Sequence, residues 1–419
     1  MRSWFKIATC LAAGLYLAPP ANSMHWQRGS PVPPQLTERA PSLAADTHPE
    51  RVIVAALTAV RQNRLDDANR LIDALLATRP NYRLAHLIKG DLLLARAQPL
   101  NQLGNATPTS ADKLNDLRQE ALMRLARYGA PTPTTQIPAN LLQLSPSQEY
   151  AVVVDASSAR IYVFRNDQGT PRYLADFYAT IGKLGFGKSK EGDQRTPLGV
   201  YFVTGHMPRA ELDQRYGVQA ELYGVGAWPL SYPNEWDRQQ GRTGHGIWLH
   251  GVPFDTYSRA PQASNGCVAL SNADMSALAA MLKPGTPVVI TPTIEWLKPA
   301  EWQVRQQAAR AEIDAWRRDW ESLDTPRYLS HYGRNFRVGN TDLNSWNAQK
   351  AQVNAGKRWA KVALNDLSLF FYPTADQPML MANFEQDYRS DNLENQMRKR
   401  LYLQREQGDW KVVFEGAGR

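Results

Sequence analysis

A histidine and a cysteine lie near each other in a segment whose residue types suit nucleophilic chemistry. His250-Gly251 is followed, fourteen residues after the histidine, by Ser264-Asn265-Gly266-Cys267. A cysteine thiolate is a strong nucleophile, and a histidine within hydrogen-bond reach can take the thiol proton. The spacing predicts that Cys267 is a nucleophile, that His250 is its base and that the thiol ionises near neutral pH.

Cys267 is the one cysteine that remains once a predicted export signal is removed, because Cys10 lies inside that signal. A lone thiol in an exported protein forms no internal disulfide, so it is either a small packing residue or a reactive group. The glycine before it, the upstream histidine and the small polar neighbours favour the reactive group.

Gly266 gives the chain freedom to bend tightly in front of the cysteine. We therefore expect the backbone N–H groups of Gly266 and Cys267 to converge on a developing oxyanion. A helix predicted to begin at about Asn272 would add a favourable dipole.

A metal site is not expected here. Side chains alternate along a strand, so His250 shares a face with Trp248, whereas His245 points to the other face. The chain also has no Cys-x-x-Cys or His-x-x-x-His pattern. Neither a metal nor another cofactor is predicted.

The segment around these residues, 146–292, predicts a mostly β domain. Runs of β-branched and aromatic residues with turn residues between them are typical of strands. Strands are predicted at 150–154, 160–164, 173–181, 199–205, 246–250 and 287–290, and helix only at 272–282.

The N-terminus predicts export. Residues 1–23 have a basic start, a short apolar stretch and small residues at the cleavage position, which is the pattern of a signal peptide. The apolar stretch is shorter than the ~20 residues that a membrane-spanning helix needs. We predict a bacterial periplasmic protein; an uncleaved N-terminal anchor and a lipid on Cys10 are the alternatives.

Residues 48–128 predict a helical region, with helices at 50–62, 65–78, 82–97 and 111–128. Ala56, Ala68 and Pro80 fall where a tetratricopeptide unit has small contact residues and a terminating proline, and Gly90 lies 34 residues after Ala56. A plain helical hairpin is the alternative. Either form predicts a packing module or a docking module for a protein partner. A proline-rich linker is predicted at 129–145.

Residues 298–419 change character again. Helices are predicted up to about Leu323, at 325–332 and at 342–354, and strands at 359–372, 379–388, 397–405 and 410–415, with a hairpin turn at Gly408-Asp409. Three helices before an antiparallel sheet resemble the nuclear-transport-factor-two-like α+β cone. The aromatic residues there either form a pocket or homodimer surface, or fill a core: Trp316, Trp320, Tyr328, Tyr332, Phe336, Trp346 and Trp359.

Composition describes an ordinary globular protein of several domains, with 43% hydrophobic and 21% charged residues. The formal net charge of +8 suits an anionic envelope surface. No arginine-rich block or aromatic-basic interleaving occurs, so nucleic-acid binding is not predicted.

The central domain resembles the L,D-transpeptidase catalytic domain, whose signature is His-Gly, a spacer and Ser/Thr-x-Gly-Cys. The resemblance extends to Ile181-Gly182, residues 191–199, Tyr232-Pro233-Asn234 and Arg242-Thr243-Gly244. It implies that Cys267 attacks the meso-diaminopimelate carbonyl of a peptidoglycan tetrapeptide stem, releases D-alanine and forms a thioester. A backbone carbonyl would orient His250.

The resemblance also implies a substrate site. Arg259 is a candidate to hold a substrate carboxylate, with a solvated loop arginine as the alternative, and Gly251, Ser264 and Asn265 would lie beside the substrate. Many family members have histidine in place of Asn265 and arginine in place of Ala269, so the choice of acyl acceptor is open.

The three-part architecture resembles a subgroup of cell-shape proteins, some of which have been read as L,D-carboxypeptidases. The leading hypothesis is transfer of the acyl group to an amine acceptor. The alternatives are hydrolysis to a tripeptide and a wall-binding scaffold without activity.

Overall fold

The structure, a computed structural model, describes residues 48–105, 110–130, 132–373 and 377–418. The signal peptide predicted for residues 1–23 lies outside the described residues, as does most of the segment that follows it. Within the described ranges, no helix is long and apolar enough to cross a membrane.

Residues 48–129, called the helical module below, form helices that enclose their own apolar core. The helices are α1 (Pro49–Arg61), α2 (Leu65–Thr78), α3 (Arg83–Leu94) and α4 (Ala111–Gly129). Each matches a predicted helix to within a few residues. Ala56 and Ala68 are fully buried, as small helix-contact residues should be. The tetratricopeptide interpretation stays a prediction.

The predicted linker also contributes strands. Strand β1 (Ile137–Pro138) pairs with β14 (Trp296–Leu297), and β2 (Leu141–Gln143) pairs with β17 (Ala360–Tyr372) of the C-terminal part. Strands of two or three residues carry almost no sequence pattern, because their partners decide where they form. The segment therefore ties the central and C-terminal parts together.

The central part holds two main sheets. Its strands are β3 (Tyr150–Asp155), β4 (Arg160–Asp167), β5 (Thr170–Tyr178), β6 (Ile181–Gly182), β7 (Gly199–Phe202), β8 (Met207–Pro208), β9 (Gly226–Pro229), β10 (Trp248–His250), β11 (Gln262–Ser264), β12 (Val268–Ala269) and β13 (Pro287–Thr291). One sheet has the order β5-β4-β3-β13-β7, and the other has the order β12-β10-β9-β8.

The prediction that helix is confined to 272–282 is wrong. Besides α7 (Asn272–Ala279), the central part contains α5 (Arg209–Tyr216), a 3₁₀ helix (Gly217–Tyr223) and α6 (Glu235–Gln239). Helix α6 begins with a capping box in which Asn234 and Asp237 satisfy each other's backbone N–H groups. These helices are too short for an apolar period to show in the sequence.

Strands β3, β13 and β7 of the sheet β5-β4-β3-β13-β7 are buried on both faces, whereas β5 is mostly half-buried or exposed. Val152 and Val154 of β3 face the core shared with β10 and β12, whereas Ala151 and Val153 face a core shared with the C-terminal sheet. The sequence of a strand without a solvent-facing side is a continuous run of apolar residues, rather than an alternation of apolar and polar residues. The run Tyr150–Asp155 has that form.

The C-terminal part places helices over a twisted antiparallel sheet. The remaining elements are α8 (Pro299–Glu321), α9 (Thr325–Leu329), β15 (Arg337–Val338), β16 (Thr341–Asp342), α10 (Leu343–Ala355), β18 (Met379–Ser390), β19 (Glu394–Glu406) and β20 (Asp409–Ala417). The predicted helices and strands are confirmed. The hairpin turn lies at Gln407-Gly408, one residue earlier than predicted, where both residues have positive φ.

Most of the aromatic residues in this part fill its core. Trp316, Trp320, Tyr328, Tyr332 and Phe336 are buried in one cluster, and Trp346 packs against it. Trp359 is 44% exposed. The hypothesis of an aromatic dimer surface therefore has little support among the described aromatic residues.

A buried chain of ion pairs joins the helical module to the central sheet. The carboxylate of Glu50 on α1 lies 3.2 Å from Arg124 of α4 and 2.8 Å from Arg160 of β4. Arg160 also pairs with Asp176 of β5 at 2.5 Å, and Asp176 pairs with Arg127 of α4 at 2.7 Å. Charges buried this deeply are tolerated because each has a close partner.

A second buried pair crosses from the central part to the C-terminal sheet. Arg400 of β19 donates to Glu235 of α6 at 2.5 Å and to Asn383 at 3.3 Å, and its guanidinium lies 4.9 Å from the Phe202 ring centroid. Arg400 is 2% exposed and Glu235 is 8% exposed. Removing Arg400 would leave the buried carboxylate of Glu235 with the more distant and more exposed Arg238, at 3.5 Å, as its partner.

We expect Arg400→Ala to lower the free energy of unfolding by about 3 kcal/mol, the lower end of the range for breaking a buried ion pair, because Glu235 keeps Arg238 at 3.5 Å. Chemical denaturation followed by circular dichroism measures it. Arg398→Ala is the matched control, because Arg398 pairs with Glu385 at an exposed site, where ion pairs contribute little. An equal loss of unfolding free energy in the two variants would contradict the assignment of Arg400 to a buried ion pair between the central part and the C-terminal sheet.

Candidate active site

His250 ends strand β10, and Cys267 directly precedes β12, the strand that neighbours β10 in the sheet β12-β10-β9-β8. Strands β10 and β12 are parallel, with His250 opposite Ala269 and Leu249 opposite Val268. Cys267 precedes β12 and lies two residues before Ala269, so strand alternation places it on the same face as His250. The two sequence-predicted catalytic side chains are thereby brought to one surface.

The imidazole of His250 is held from two sides. Its Nδ1 lies 2.5 Å from the carbonyl oxygen of Gly251, and the Tyr223 ring packs against it edge-on, with centroids 5.3 Å apart. An Nδ1–H that donates to this carbonyl leaves Nε2 with a lone pair, which is the form of a base. The described residues provide no hydrogen-bond partner for Nε2.

The tight turn before Cys267 requires glycine. Gly266 has φ +124°, and a Cβ there would lie 2.8 Å from the carbonyl oxygen of Arg195. The hydroxyl of Thr196 donates to the carbonyl oxygen of Gly266 at 2.9 Å and accepts from the N–H of Gly182 at 2.9 Å. Thr196 therefore fixes the turn, a role that its place 70 residues earlier in the sequence does not reveal.

Ser264 braces the same turn from within. Its hydroxyl donates to the carbonyl oxygen of Cys267 at 2.6 Å and accepts from the N–H of Gly266 at 3.1 Å. The expectation that the N–H groups of Gly266 and Cys267 converge on an oxyanion is therefore wrong for Gly266. The N–H of Cys267 has no acceptor among the described residues, so it remains the candidate donor.

Gly251 and Asn265 occupy different surroundings. A Cβ on Gly251 would lie 2.3 Å from Oδ1 of Asn272, so this glycine permits a close backbone approach. Asn272 also accepts from the N–H groups of Val225 and Val252, at 3.2 and 3.1 Å. Asn265 is exposed. Asn272, which sequence reasoning treated only as a helix start, thus ties the His-Gly segment to the helix after the nucleophile.

The thiol and the imidazole are both neutral at pH 7. Burial raises the pKa of Cys267 to about 11, although the backbone of Trp248 and the charges of Arg259 and Lys188 oppose the rise. Burial lowers the pKa of His250 to about 4, against the effect of the Gly251 carbonyl. The expectation of a thiol that ionises near neutral pH is wrong for this structure.

The thiol proton has a different partner in this arrangement. Sγ of Cys267 donates to the carbonyl oxygen of Gly246 at 3.3 Å, and no hydrogen bond joins the described thiol and imidazole. Catalytic hydrogen bonds often tighten only when substrate is bound. The arrangement suits general-base removal of the proton during attack, rather than a preformed thiolate–imidazolium pair.

Two cations lie near the nucleophile. Arg259 lies in the loop before the signature, is partly buried and donates from Nη2 to the carbonyl oxygen of Ala263 at 3.1 Å. Its charge acts on both Cys267 and His250. Lys188, which sequence reasoning missed, is 5% exposed and pairs with Asp193 at 2.8 Å. A lysine that approaches the nucleophile only through the tertiary structure leaves no signal in the sequence.

No group of three or more histidine, cysteine, aspartate or glutamate side chains forms a metal site in the described part of the chain. The chemistry available at this surface is that of a thiol, an imidazole, one backbone N–H and two nearby cations. Such a set suits acyl transfer through a thioester.

Two family models match the chain. Residues 149–290 match the L,D-transpeptidase catalytic domain of the YkuD family, and residues 308–416 match the Cds6 C-terminal NTF2-like domain. The chain therefore contains a YkuD-type catalytic domain followed by an NTF2-like domain. This confirms the resemblances stated from the sequence.

Two solved structures share this arrangement. The chain is similar to Bd1075 of Bdellovibrio bacteriovorus, with 26% identity and a TM-score of 0.58 over 68% of this chain and 98% of that chain. It is also similar in fold to the helical cell shape determining protein Pgp2 of Campylobacter jejuni, with 24% identity and a TM-score of 0.55 over 71% of this chain and 99% of that chain. No curated protein sequence matches the chain.

We expect the rate of Cys267 alkylation by iodoacetamide to rise steadily from about pH 6 to about pH 10, because burial keeps the thiol protonated at neutral pH. The rate is measured by intact-mass spectrometry. His250→Ala should leave the profile unchanged, because a neutral imidazole does not stabilise a thiolate. Cys267→Ser measures any labelling of Cys10. A plateau below pH 8 that disappears in His250→Ala would instead show a preformed ion pair.

Proposed function

We propose that this chain is a peptidoglycan L,D-transpeptidase in which Cys267 is the nucleophile and His250 is the base. The observation that supports the proposal is the parallel pairing of the His250 strand with the strand that begins directly after Cys267, with no hydrogen-bond partner for Nε2 of the imidazole among the described residues. The match of residues 149–290 to the L,D-transpeptidase catalytic domain supports the substrate class, which is the peptidoglycan stem peptide.

The first half-reaction transfers the stem peptide to the enzyme. Sγ of Cys267 bonds to the meso-diaminopimelate carbonyl carbon of a tetrapeptide stem as its proton passes to Nε2 of His250. The tetrahedral oxyanion accepts a hydrogen bond from the N–H of Cys267; one such donor typically contributes about 2.7–4 kcal/mol. The C–N bond to D-alanine then breaks, and the leaving amine takes the proton from His250.

The second half-reaction releases the stem peptide from the thioester. An amine acceptor attacks the thioester carbonyl while His250 takes an amine proton, and the C–S bond breaks. The departing sulfur recovers the proton, so the free thiol is restored. No cofactor is consumed in either half.

Arg259 is proposed to hold a carboxylate of the stem peptide. Its guanidinium donates from Nη2 to the carbonyl oxygen of Ala263, and a guanidinium offers five N–H donors in a planar fork. Partial burial strengthens a charge-assisted pair with a carboxylate. Gly251, Ser264 and Asn265 are proposed to line the same substrate position, with Ser264 acting through the turn that it braces.

Hydrolysis of the thioester is the second candidate. The arrangement of a catalytic domain and an NTF2-like domain spans nearly the whole length of Bd1075, which is similar to this chain at a TM-score of 0.58. This three-part architecture resembles that of cell-shape proteins, some of which have been read as L,D-carboxypeptidases. Water as the acceptor would convert a tetrapeptide to a tripeptide. A scaffold without activity is the third candidate, which the intact pair of Cys267 and His250 disfavours.

The substrate implies a location outside the cytoplasmic membrane. We propose that residues 1–23 direct the chain to the periplasm, where peptidoglycan lies. Docking of a protein partner on the helical module and homodimerisation through the C-terminal domain remain proposals without direct support.

Incubation of the full-length processed protein with disaccharide-tetrapeptide is expected to give a cross-linked dimer and free D-alanine, detected by mass spectrometry. Cys267→Ala should abolish both products. Tripeptide without dimer in the wild-type reaction would establish hydrolysis instead. If neither product forms, the proposed enzymatic function is wrong for this substrate.

A carbapenem is expected to acylate Cys267, because its strained carbonyl forms a thioester by the same attack. Intact-mass spectrometry should show one adduct per chain, and Cys267→Ser should show none. His250→Ala should slow the acylation by at least about 100-fold, the usual contribution of a general base. An adduct that forms equally fast without His250 would contradict its role as the base.

A further inference from the structure

Residues 252–261, called the Arg259 loop below, connect the strand of His250 with the segment of Cys267 and contact the helical module. The hydroxyl oxygen of Ser258 accepts a hydrogen bond from the backbone N–H of Leu84 at 2.8 Å. Both residues are buried. The contact joins positions 174 residues apart in the sequence, so it belongs to the tertiary structure alone.

Ser258 caps a helix of the module. Leu84 lies in the first turn of α3, where the N–H groups lack acceptors within the helix. Tyr82, at the N-cap position, makes no side-chain capping hydrogen bond. An acceptor at a helix N-terminus is typically worth about 1 kcal/mol, and here the Arg259 loop supplies it.

The residue before Ser258 is packed into the module. Tyr257 contacts the module's apolar core, and its ring centroid lies 5.9 Å from that of Tyr82. Tyr82 is 1% exposed. The loop is therefore held by an aromatic side chain as well as by a hydrogen bond.

The backbone of Arg259 is itself fixed on both sides. Its carbonyl oxygen accepts from the hydroxyl of Tyr178 at 2.8 Å, and the guanidinium of Arg124 lies 4.0 Å from the Tyr178 ring centroid. Its backbone N–H faces the buried carboxylate of Glu120 on α4. Helices α3 and α4 thus frame the one residue of the loop that reaches the nucleophile.

We propose that the helical module is a positioning element of the active site, and that Ser258 is the residue through which it fixes the Arg259 loop. The module holds the loop in the conformation that presents the Arg259 guanidinium to the substrate carboxylate. This proposal rests on the proposed function for the role of Arg259. The two matched family models begin at residues 149 and 308, so neither includes the module.

Ser258→Ala in the full-length processed protein removes the acceptor and leaves Arg259 in place. We expect amide hydrogen exchange in residues 252–261 to accelerate about tenfold, which corresponds to the loss of one buried hydrogen bond. The KM for disaccharide-tetrapeptide should rise about tenfold with kcat within about twofold, because the chemical groups are unchanged. Ser258→Thr, which keeps the hydroxyl, should restore both quantities.

Ser231→Ala is the matched control. The Ser231 hydroxyl also accepts from a backbone N–H, that of Phe202 at 3.0 Å, but Ser231 lies outside the Arg259 loop. Its removal should leave the exchange of residues 252–261 and the KM unchanged. A similar rise in KM for the Ser231 variant would overturn the assignment to Ser258.

The outcomes separate this proposal from the proposed function. Unchanged exchange in Ser258→Ala overturns the positioning role, whatever the enzyme does to tetrapeptide. Faster exchange with an unchanged KM overturns the link to substrate binding. A kcat that falls in proportion to the loss of folded protein, with KM unchanged, overturns it as well. If wild-type protein turns over no tetrapeptide, the proposed function fails, and the exchange data still decide whether the module fixes the loop.

Discussion

Strands β3, β13 and β7 of the central sheet have no solvent-facing side, and the positions of both flanking parts depend on this. Alternate residues of β3 pack towards the strands of His250 and Cys267 on one face and towards the C-terminal sheet on the other. Because protein interiors are close-packed, a shift of either neighbour is transmitted to the strands between them. The NTF2-like domain therefore supports the active site structurally, in addition to any role of its own. Strand β2, which comes from the predicted linker, extends the C-terminal sheet and reinforces this arrangement.

Buried ion pairs then determine how the parts are oriented. Glu50, Arg160 and Asp176 join the helical module to the sheet, and Arg400 with Glu235 joins the sheet to the C-terminal domain. Buried pairs add little net stability, but an unpaired buried charge costs several kcal/mol. Orientations of the parts that separate the charged partners are disfavoured for that reason. Apolar packing alone would tolerate small shifts of one part against another. The pairs therefore select one docking of the module, and that docking places α3 and α4 against the Arg259 loop.

Local patterns in the sequence predicted the longer elements and the two central residues of the site. The apolar run at β3 and the hairpin β19–β20 have strong local signals, and strand parity placed His250 correctly relative to Trp248. Strand β2 was not predicted, because its partner lies more than 200 residues later. The roles of Thr196 and Lys188 likewise depend on distant contacts. The ionised thiol was predicted from the neighbours of Cys267 in the sequence, which do not reveal how far the fold removes the thiol of this partly exposed residue from water.

The position of Arg259 favours a role in binding over a role in activating the nucleophile. Its positive charge lowers the pKa of Cys267, since it favours the thiolate, and it also lowers the pKa of His250, since it disfavours the imidazolium. Proton transfer from thiol to imidazole depends on the difference between these two pKa values. A charge that moves both values in one direction changes that difference by less than the larger of the two shifts. Part of the effect of Arg259 on the proton transfer therefore cancels, and a substrate carboxylate that neutralises the guanidinium disturbs the transfer less than it would if Arg259 acted on the thiol alone.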